Sequence, residues 1–230
     1  MNAGTWAVLV AAGRGERLGS DRPKAFANLG GRPLLAESLE RLEASEWIEA
    51  VVVVAPAEWE EPAILLAEEV GAGKVSSVVT GGDTRSASVR VGLAEVPEEA
   101  AVVLVHDAAR PFLPEDVLER VLLALGEGWD GAVPGLRLAD TVKRVESGAV
   151  VETLDRAGLF SIQTPQAFVA ATLRRALAGA GEALSDCAGY VEAAGGRVTV
   201  VEGDPRLVKV TSRADLELVA TLLDAQGSSA

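Results

Sequence analysis

Cysteine and histidine are almost absent from this sequence, which contains one of each among 230 residues, Cys187 and His106. A single cysteine cannot form an internal disulfide, and it cannot build the thiolate cluster that structural zinc or an iron–sulfur centre requires. A single histidine likewise excludes a metal site made from several imidazoles. His106 is also a poor candidate for a general base, because no activated nucleophile stands near it in the sequence.

Positive charge is scarce as well, because 21 lysines and arginines face 34 aspartates and glutamates and leave a net charge of −13. Nucleic acids and anionic membrane surfaces bind broad positive fields, so we expect neither as a partner. The apolar run Trp6–Ala12 is too short to span a membrane and lacks the charged start of a signal peptide. The sequence thus predicts a cytoplasmic protein whose positive charge acts, if at all, in a local pocket.

Apolar runs typical of buried parallel strands alternate with amphipathic helical patterns along most of the chain. We predict strands at Thr5–Val10, Ala50–Ala55, Lys74–Val79, Ala101–Val105, Gly131–Pro134, Arg197–Glu202 and Leu207–Val210. We predict helices at Pro33–Ala44, Glu58–Val70, Ser86–Val96, Pro114–Leu125, Val169–Ala178, Ser185–Ala194 and Ser212–Ala225. This alternation predicts an α/β fold with a doubly wound, mostly parallel sheet of the Rossmann-like kind, and we expect residues 1–230 to form one domain.

The alternation is interrupted at about residues 137–157, where two strand-like runs are joined by Glu146-Ser147-Gly148. Such a pattern predicts a β-hairpin inserted into the domain as a projecting arm. A hairpin of only two strands is marginally stable in water, so we expect it to pack on the body of the protein or on a second copy.

The loop after the first predicted strand combines small residues with cations. Small side chains at Ala11, Ala12, Gly13 and Gly15 let backbone N–H groups approach an anion closely. The cations lie within eleven residues and are Arg14, Arg17, Arg22 and Lys24. This density of positive charge in an acidic protein predicts a clamp for a polyphosphate, and a tight turn with surface arginines is the alternative.

Two well-known phosphate-binding motifs are missing from this loop. A dinucleotide fingerprint requires glycine at the position of Leu18, and a P-loop requires Gly-Lys-Ser/Thr five places after Gly13. The first absence counts against an NAD-dependent oxidoreductase. The combination that is present, Ala-Ala-Gly-x-Gly-x-Arg followed by Pro-Lys, resembles the signature loop of nucleotidyltransferases that activate sugar or polyol phosphates.

A second polar segment, Val-His-Asp-Ala-Ala-Arg-Pro, ends the fourth predicted strand. Open α/β sheets bind ligands at the carboxyl ends of their strands, so Asp107 and Arg110 could face a phosphorylated substrate or a metal. The alternative is that Asp107 caps a turn and Arg110 pairs with an acidic neighbour.

With this segment included, the sequence resembles the 2-C-methyl-D-erythritol 4-phosphate cytidylyltransferase family. The resemblance rests on seven blocks, in the family's order, between residues 9 and 211. They are the glycine-rich loop ending at Pro23-Lys24, Gly81-Gly82-Asp83-x-Arg85-x-x-Ser88, Val105–Pro111, Asp140-Thr141-Val142-Lys143, Asp155-Arg156, Gln163-Thr164-Pro165-Gln166 and Val208-Lys209-Val210-Thr211. One departure is Cys187, which stands where the family commonly has an acidic residue.

The resemblance implies that CMP is transferred from CTP to the phosphate of 2-C-methyl-D-erythritol 4-phosphate, with release of pyrophosphate. It implies catalytic roles for Arg17 and Lys24 at the triphosphate and for Arg156 and Lys209 at the polyol phosphate. The nucleotide-binding residues that it implies are Ala11, Ala12, Gly13, Arg14, Gly15, Gly81, Gly82, Asp83 and Ser88. The implied substrate-binding residues are Asp107, Arg110, Thr141, Arg156, Thr164 and Lys209. Magnesium is expected to accompany CTP, without a ligand assigned from the sequence.

The residues agree with the chemical demands of this reaction. A phosphate monoester is already mostly dianionic at neutral pH, so its attack needs no general base. Charge builds instead on the α-phosphoryl oxygens and on the leaving pyrophosphate, which fixed cations stabilise. Cytosine offers an amino donor that a backbone carbonyl or a carboxylate such as Asp83 could recognise.

The resemblance also implies a homodimer joined through the arm, residues 140–153. Arg156 would then reach the polyol phosphate bound by the neighbouring subunit. Two alternatives stay open: a cytidylyltransferase for another polyol phosphate, such as ribitol 5-phosphate, and a non-catalytic regulator that only binds a nucleotide.

Overall fold

A computed structural model describes residues 4–13, 15, 22–179 and 184–227. The strands along this part of the chain are β1 (Thr5–Val10), β2 (Asn28–Leu29), β3 (Arg32–Pro33), β4 (Ala50–Ala55), β5 (Val75–Thr80), β6 (Val102–Asp107), β7 (Gly131–Arg137), β8 (Val142–Glu146), β9 (Ala149–Leu154), β10 (Phe160–Ile162), β11 (Gln166–Val169) and β12 (Val198–Glu202). The helices are a 3₁₀ turn (Lys24–Phe26), α1 (Leu34–Ala44), α2 (Glu60–Glu69), α3 (Arg85–Ala94), α4 (Glu115–Gly126), α5 (Ala170–Ala178), α6 (Cys187–Ala193) and α7 (Arg213–Gly227).

Eight strands form the central sheet, in the order β10-β7-β11-β6-β1-β4-β5, with β12 also pairing with β7. Strands β1, β4, β5 and β6 pair in parallel, and β12 pairs in parallel with β7. In this sheet, β10 and β11 run antiparallel to their neighbours. The α/β class and the mostly parallel sheet predicted from the sequence are therefore confirmed.

Apolar side chains alternate between the two faces of this sheet, and helices cover both faces. In β1, Ala7 and Leu9 face the core formed with α1, α2 and α4, whereas Val8 faces the core formed with α3, α5 and α6. Burial on both faces explains why β4 is a continuous apolar run, Ala-Val-Val-Val-Val-Ala. Among the described helices, none has the length and apolar character needed to cross a membrane.

The short elements differ most from the sequence prediction. The strand predicted at Leu207–Val210 is wrong, because this segment joins no ladder and Val210 N–H donates singly to the Ala109 carbonyl, at 2.8 Å. Conversely, β10 and β11 were not expected, because runs of three and four residues carry little periodic signal. The remaining predicted strands and helices are present, with ends shifted by up to three residues.

The predicted arm is present as a separate antiparallel pair of strands, β8 and β9. Ser147 and Gly148 form its turn, with φ angles of 49° and 84°, the left-handed conformation that tight hairpin turns require. Most of its side chains are exposed, and Val145, Val150 and Val151 keep 54%, 61% and 51% of their surface accessible. The hairpin prediction is confirmed, and its contact with a second copy stays a prediction.

Candidate active site

A cavity of about 620 Å³ opens at the carboxyl ends of β1, β5 and β6. Strands β1 and β6 are neighbours in the sheet, and Val10 lies directly opposite Asp107 where both strands end. The topology places the cavity at the switch point where successive strands add on opposite sides of β1, the usual ligand position in open α/β sheets. Its lining consists of Val10, Ala11, Ala12, Gly13, Lys24, Ala25, Gly82, Asp83, Thr84, Arg85, Ser88, Asp107, Ala109 and Lys209.

The glycine-rich loop places Lys24 at one side of the cavity. Lys24 N–H donates to the Gly13 carbonyl over 3.2 Å, which holds Lys24 beside Gly13. Gly15 has a φ of +72°, and a Cβ at this position would lie only 3.0 Å from the backbone nitrogen of Lys24. Glycine is thus required at position 15 by both its conformation and its close approach to Lys24.

The opposite wall begins where β5 ends. A Cβ on Gly81 would lie 2.4 Å from the Ala12 side chain, so the two loops touch only because this residue is glycine. Ser88 Oγ lies 3.2 Å from both the nitrogen and the oxygen of Gly82 and fixes the turn. Thr84 caps α3, since its hydroxyl accepts a hydrogen bond from Ala87 N–H at 3.1 Å. This wall is therefore held by its own hydrogen bonds.

The charged side of the cavity is organised by Asp107. Its Oδ1 accepts from Arg85 Nε at 2.9 Å, and its Oδ2 accepts from Lys209 Nζ at 2.7 Å. The Asp107 side chain is 8% exposed, whereas Arg85 and Lys209 keep 25% and 40% of their side-chain surface accessible. One nearly buried carboxylate thus holds two cations that reach the cavity.

The pKa of Asp107 shows how strongly these cations act. Burial raises the pKa of this carboxyl, but the charges of Arg85 and Lys209 outweigh burial and hold the pKa well below its usual range. Burial lowers the pKa of Arg85, but its interactions with Asp107 and Cys187 outweigh burial and raise the pKa above its usual value. Asp107 and Arg85 are therefore both charged at neutral pH.

His106 lies behind this cluster and is fully buried. Its Nε2 donates to the Arg110 carbonyl at 3.0 Å, so its Nδ1 is left to accept from Thr164 Oγ1 at 3.1 Å. The same Thr164 oxygen accepts from Asp107 N–H at 3.1 Å. Burial lowers the pKa of His106 to about 4. The imidazole is therefore neutral and hydrogen-bonded on both sides, in agreement with the prediction that it is not a general base.

The comparisons with known proteins agree over nearly the whole chain. The family model for 2-C-methyl-D-erythritol 4-phosphate cytidylyltransferase matches residues 5–225. The chain belongs to this family. A 2-C-methyl-D-erythritol 4-phosphate cytidylyltransferase from Saccharopolyspora erythraea is 45% identical over 221 residues, which cover 94% of this chain and 98% of the relative. A second relative of that name, from Nocardia farcinica, is 44% identical over 95% of this chain and 93% of its own length.

Solved structures of the family share the fold. The crystal structure of the 2-C-methyl-D-erythritol 4-phosphate cytidylyltransferase from Thermus thermophilus has a TM-score of 0.78 and 36% identity, covering 94% of this chain and 98% of that one. A crystal structure of a 4-diphosphocytidyl-2C-methyl-D-erythritol synthase has a TM-score of 0.83 and 34% identity, covering 97% and 100%. The predicted family and the nucleotidyltransferase class are confirmed, and the comparisons give no support to the alternatives.

The predicted site residues of this cytidylyltransferase-family chain fall into three groups. Those that line the cavity are Ala11, Ala12, Gly13, Lys24, Gly82, Asp83, Ser88, Asp107 and Lys209. Those described by the structure but outside the lining are Gly15, Gly81, Arg110, Thr141, Arg156 and Thr164. Arg14 and Arg17 lie outside the described residues. The roles of all of them stay predictions.

The residues outside the lining support it or lie away from it. Thr164 is buried, and its hydroxyl already bonds to His106 and Asp107. Arg110 donates to the Leu207 carbonyl and so ties the segment that carries Lys209 to β6. Thr141 and Arg156 are exposed at the arm, where Arg156 donates to the Ala139 carbonyl.

Arg85 is the charged lining residue that the sequence prediction missed. It was present in the Gly81–Ser88 block, but helix α3 begins at Arg85, and a helix-start arginine is usually solvated. The available signal was its place between Asp83 and Ser88, which the resemblance assigns to nucleotide binding. Its pairing with Asp107, 22 positions later, depends on the packing of α3 against the sheet.

Proposed function

We propose that the cavity catalyses transfer of CMP from CTP to the phosphate of 2-C-methyl-D-erythritol 4-phosphate, releasing pyrophosphate. The observation that carries this proposal is the convergence of Lys24, Arg85 and Lys209 on one cavity beside a glycine-rich loop. The names of the relatives support the choice of substrate.

The attacking group is the phosphate of the polyol substrate. Its second pKa is near 6, so about nine-tenths of it is dianionic at pH 7 and no proton has to be removed before attack. This explains why the cavity works without a base, since His106 is neutral and committed to two hydrogen bonds. The barrier is electrostatic, because a dianion must approach a triphosphate that is itself negatively charged.

Fixed cations on two sides of the cavity lower this barrier. Lys24, held by the glycine-rich loop, stabilises charge on the α-phosphoryl oxygens and on the departing pyrophosphate. Lys209, held by Asp107, binds the phosphate of the polyol substrate and keeps it in line with the α-phosphorus. Arg17 completes the triphosphate side, as the family resemblance implies.

Cytosine is selected by the wall that follows β5. Gly82, Asp83 and Ser88 face Ala11–Gly13 across the cavity and form the base and ribose pocket. The cytosine amino group donates a hydrogen bond where uracil presents a carbonyl oxygen, so a carboxylate or a backbone carbonyl discriminates between them. A polar site built for one pattern leaves groups unpaired with the other, and CTP should exceed UTP in kcat/KM by about 10⁴-fold.

Magnesium fits the donors that the cavity offers. No group of three histidine, cysteine, aspartate or glutamate side chains is gathered among the described residues. The Asp107 oxygens are taken by Arg85 and Lys209, and Asp83 is the exposed carboxylate of the described lining. Magnesium at nucleotide sites keeps several waters and binds the substrate phosphates, so in this cavity the triphosphate and water would hold the ion. When bound, the ion neutralises part of the triphosphate charge.

The active form that we propose is a homodimer joined through the arm. Its exposed valines need a partner surface, and Arg156 at the arm's base lies outside the cavity of its own chain. A second copy would cover the valines and bring Arg156 to the polyol phosphate, as the resemblance implies. We expect this enzyme in the cytoplasm, without nucleic acid or membrane as partner.

The decisive experiment measures pyrophosphate release with each of four nucleoside triphosphates, combined with 2-C-methyl-D-erythritol 4-phosphate or ribitol 5-phosphate. We expect release only with CTP and the methylerythritol phosphate, with the cytidylyl product identified by mass spectrometry. Faster release with ribitol 5-phosphate would reassign the polyol. Nucleotide binding without release in any combination would leave a regulator, and equal use of CTP and UTP would remove the cytidylyl assignment.

A further inference from the structure

Asp107 determines where the ammonium group of Lys209 lies. A lysine side chain has four flexible carbons and no preferred geometry for its charge. Here Nζ donates to Asp107 Oδ2 at 2.7 Å, while 40% of the lysine side chain stays accessible at the cavity. The position of this cation therefore follows the orientation of the carboxylate.

Arg85 in turn determines the orientation of that carboxylate. Its Nε donates to Oδ1 at 2.9 Å, and its Nη1 lies 3.6 Å from Cys187 Sγ, so the guanidinium is held from two directions. Because Arg85 holds Oδ1, the carboxylate presents Oδ2 to Lys209. Without Arg85, both oxygens could turn toward the lysine and draw its ammonium group from the cavity to the wall.

The charges of the three residues lead to the same conclusion. One carboxylate shared by two cations leaves a net positive charge at this wall, which attracts a phosphate dianion. Loss of the Arg85 charge would leave Asp107 and Lys209 as a neutral pair. The carboxylate would remain ionised because Lys209 still faces it. The wall would then carry no net positive charge to attract the phosphate of the substrate, although Lys209 would still be present.

We propose that Arg85 is a positioning residue for the acceptor phosphate, acting through Asp107 to keep Lys209 directed at the cavity. This inference rests on the proposed function, since the acceptor phosphate is the ligand given there to Lys209. Arg85 need not touch either substrate. Its effect should therefore appear in the acceptor half of the reaction and should require the Asp107 carboxylate.

The test is a double-mutant cycle with Arg85→Gln, Asp107→Asn and the double variant. We expect Arg85→Gln to lower kcat/KM for the polyol phosphate about 10- to 100-fold, the size of a hydrogen bond to a charged group, and to change KM for CTP less than about threefold. In the Asp107→Asn background, Arg85→Gln should lower kcat/KM for the polyol phosphate by less than about threefold.

Arg90→Gln is the matched control, because Arg90 lies on the same helix and its Nε donates to the Leu177 carbonyl at 3.1 Å, outside the cavity lining. Its kinetics should stay within about twofold of wild type, as for a substitution away from the site. Arg85→Lys keeps the charge and should retain more activity than Arg85→Gln. Arg85→Met, which keeps the length of the side chain without its charge, replaces Arg85→Gln in the cycle if thermal unfolding shows that the glutamine variant does not fold.

Two results would overturn the proposal: an equal loss from Arg85→Gln in both backgrounds, or a rise in KM for CTP as large as that for the polyol phosphate. Wild-type protein assayed in parallel separates this failure from that of the proposed function. If wild type forms no cytidylyl product, the function is wrong; if it does and the cycle is additive, only the role of Arg85 is wrong.

Discussion

Two ion pairs of this chain have the same length but lie in different surroundings. In each of them an arginine Nε lies 2.9 Å from a carboxylate oxygen, Arg85 with Asp107 in the cavity wall and Arg144 with Glu152 on the arm. The Asp107 side chain is 8% exposed, whereas that of Glu152 is 53% exposed. Water screens the second pair, so equal distances correspond to unequal energies.

The same contrast separates the two regions as a whole. At the cavity, charged groups are partly withdrawn from water and hold one another, and this arrangement is suited to an anionic ligand. On the arm, charged groups are solvated, and the apolar side chains of Val145, Val150 and Val151 are exposed instead. The cavity is therefore suited to bind a phosphate, and the arm is suited to bind a partner surface. Each prediction below would sharpen or break this distinction.

The largest effect is expected from Lys24→Ala. Turnover at saturating CTP and polyol phosphate should fall about 10²- to 10³-fold, because a preorganised cation is lost where transition-state charge develops. The protein should remain folded, since Lys24 is only partly buried and lies on the cavity wall. Steady-state kinetics and circular dichroism measure the two outcomes.

Lys74→Ala is the control for this prediction. Lys74 lies just before the amino end of β5, whereas the cavity lies at the carboxyl end of this strand. Its Nζ donates to the Ser45 carbonyl at 2.6 Å. Its turnover should stay within about twofold of wild type, as expected for a substitution far from the site. A similar loss of turnover in both variants would mean that the cavity lysine has no special role.

The second effect is a pH-dependent difference in stability between the two ion pairs. The pKa of Asp107 is lowered in the folded protein, so this group stabilises folding above its ordinary value of about 4 and loses that contribution as pH falls toward the lowered pKa. At pH 7, Asp107→Asn should lower the free energy of unfolding by about 2 kcal/mol, less than for a fully buried pair because Arg85 and Lys209 reach solvent.

Glu152→Gln is the matched substitution in the exposed pair. It should change the free energy of unfolding by less than about 0.5 kcal/mol at any pH. Urea denaturation at several pH values measures both differences, and the Asp107→Asn difference should shrink below about pH 4. His106 is present in both proteins, so most of its own titration cancels. A loss with Glu152→Gln as large as that with Asp107→Asn would contradict the importance of burial.

The sequence predicted the fold best where burial makes the pattern uniform. The bounds of β1 and β4 agree with the prediction because strands buried on both faces are continuous apolar runs. The segment Leu207–Val210 has similar apolar residues, but its backbone hydrogen bonds go to a turn, a loop and an arginine side chain and not to a neighbouring strand. Periodicity records which side chains are buried and does not record which backbone groups pair, so this strand prediction was wrong.

The candidate site was predictable at the level of loops and less so at the level of contacts. The glycine-rich loop and Asp107 were predicted from their places after strands, and the resemblance added the Gly81–Ser88 segment. The cavity lining includes residues of all three. The pairing of Arg85 with Asp107 was not predictable, because it depends on side-chain geometry between distant segments. The position of Thr164 behind Asp107 was missed for the same reason.

The last prediction concerns the arm, and it tests whether this exposed region belongs to an active site at all. Lys24→Ala and Arg156→Ala proteins should each be nearly inactive when assayed alone. If Arg156 serves the cavity of the neighbouring subunit, an exchanged heterodimer has one cavity that lacks both residues and one that has both. Each heterodimer should then recover about half of the activity of a normal dimer.

Random exchange in an equal mixture makes about half of the dimers heterodimeric, so the mixture should recover about a quarter of normal activity. Exchange is verified by mass spectrometry of differently tagged chains, and a mixture of each variant with itself provides the baseline. A small effect is informative here, because neither single-variant population can produce it. No recovery despite verified exchange, or a monomer at micromolar concentration by sedimentation, would show that the cavity is complete within one chain. Arg156 would then serve the cavity of its own chain, and the exposed valines of the arm would have no part in bringing it to a second cavity.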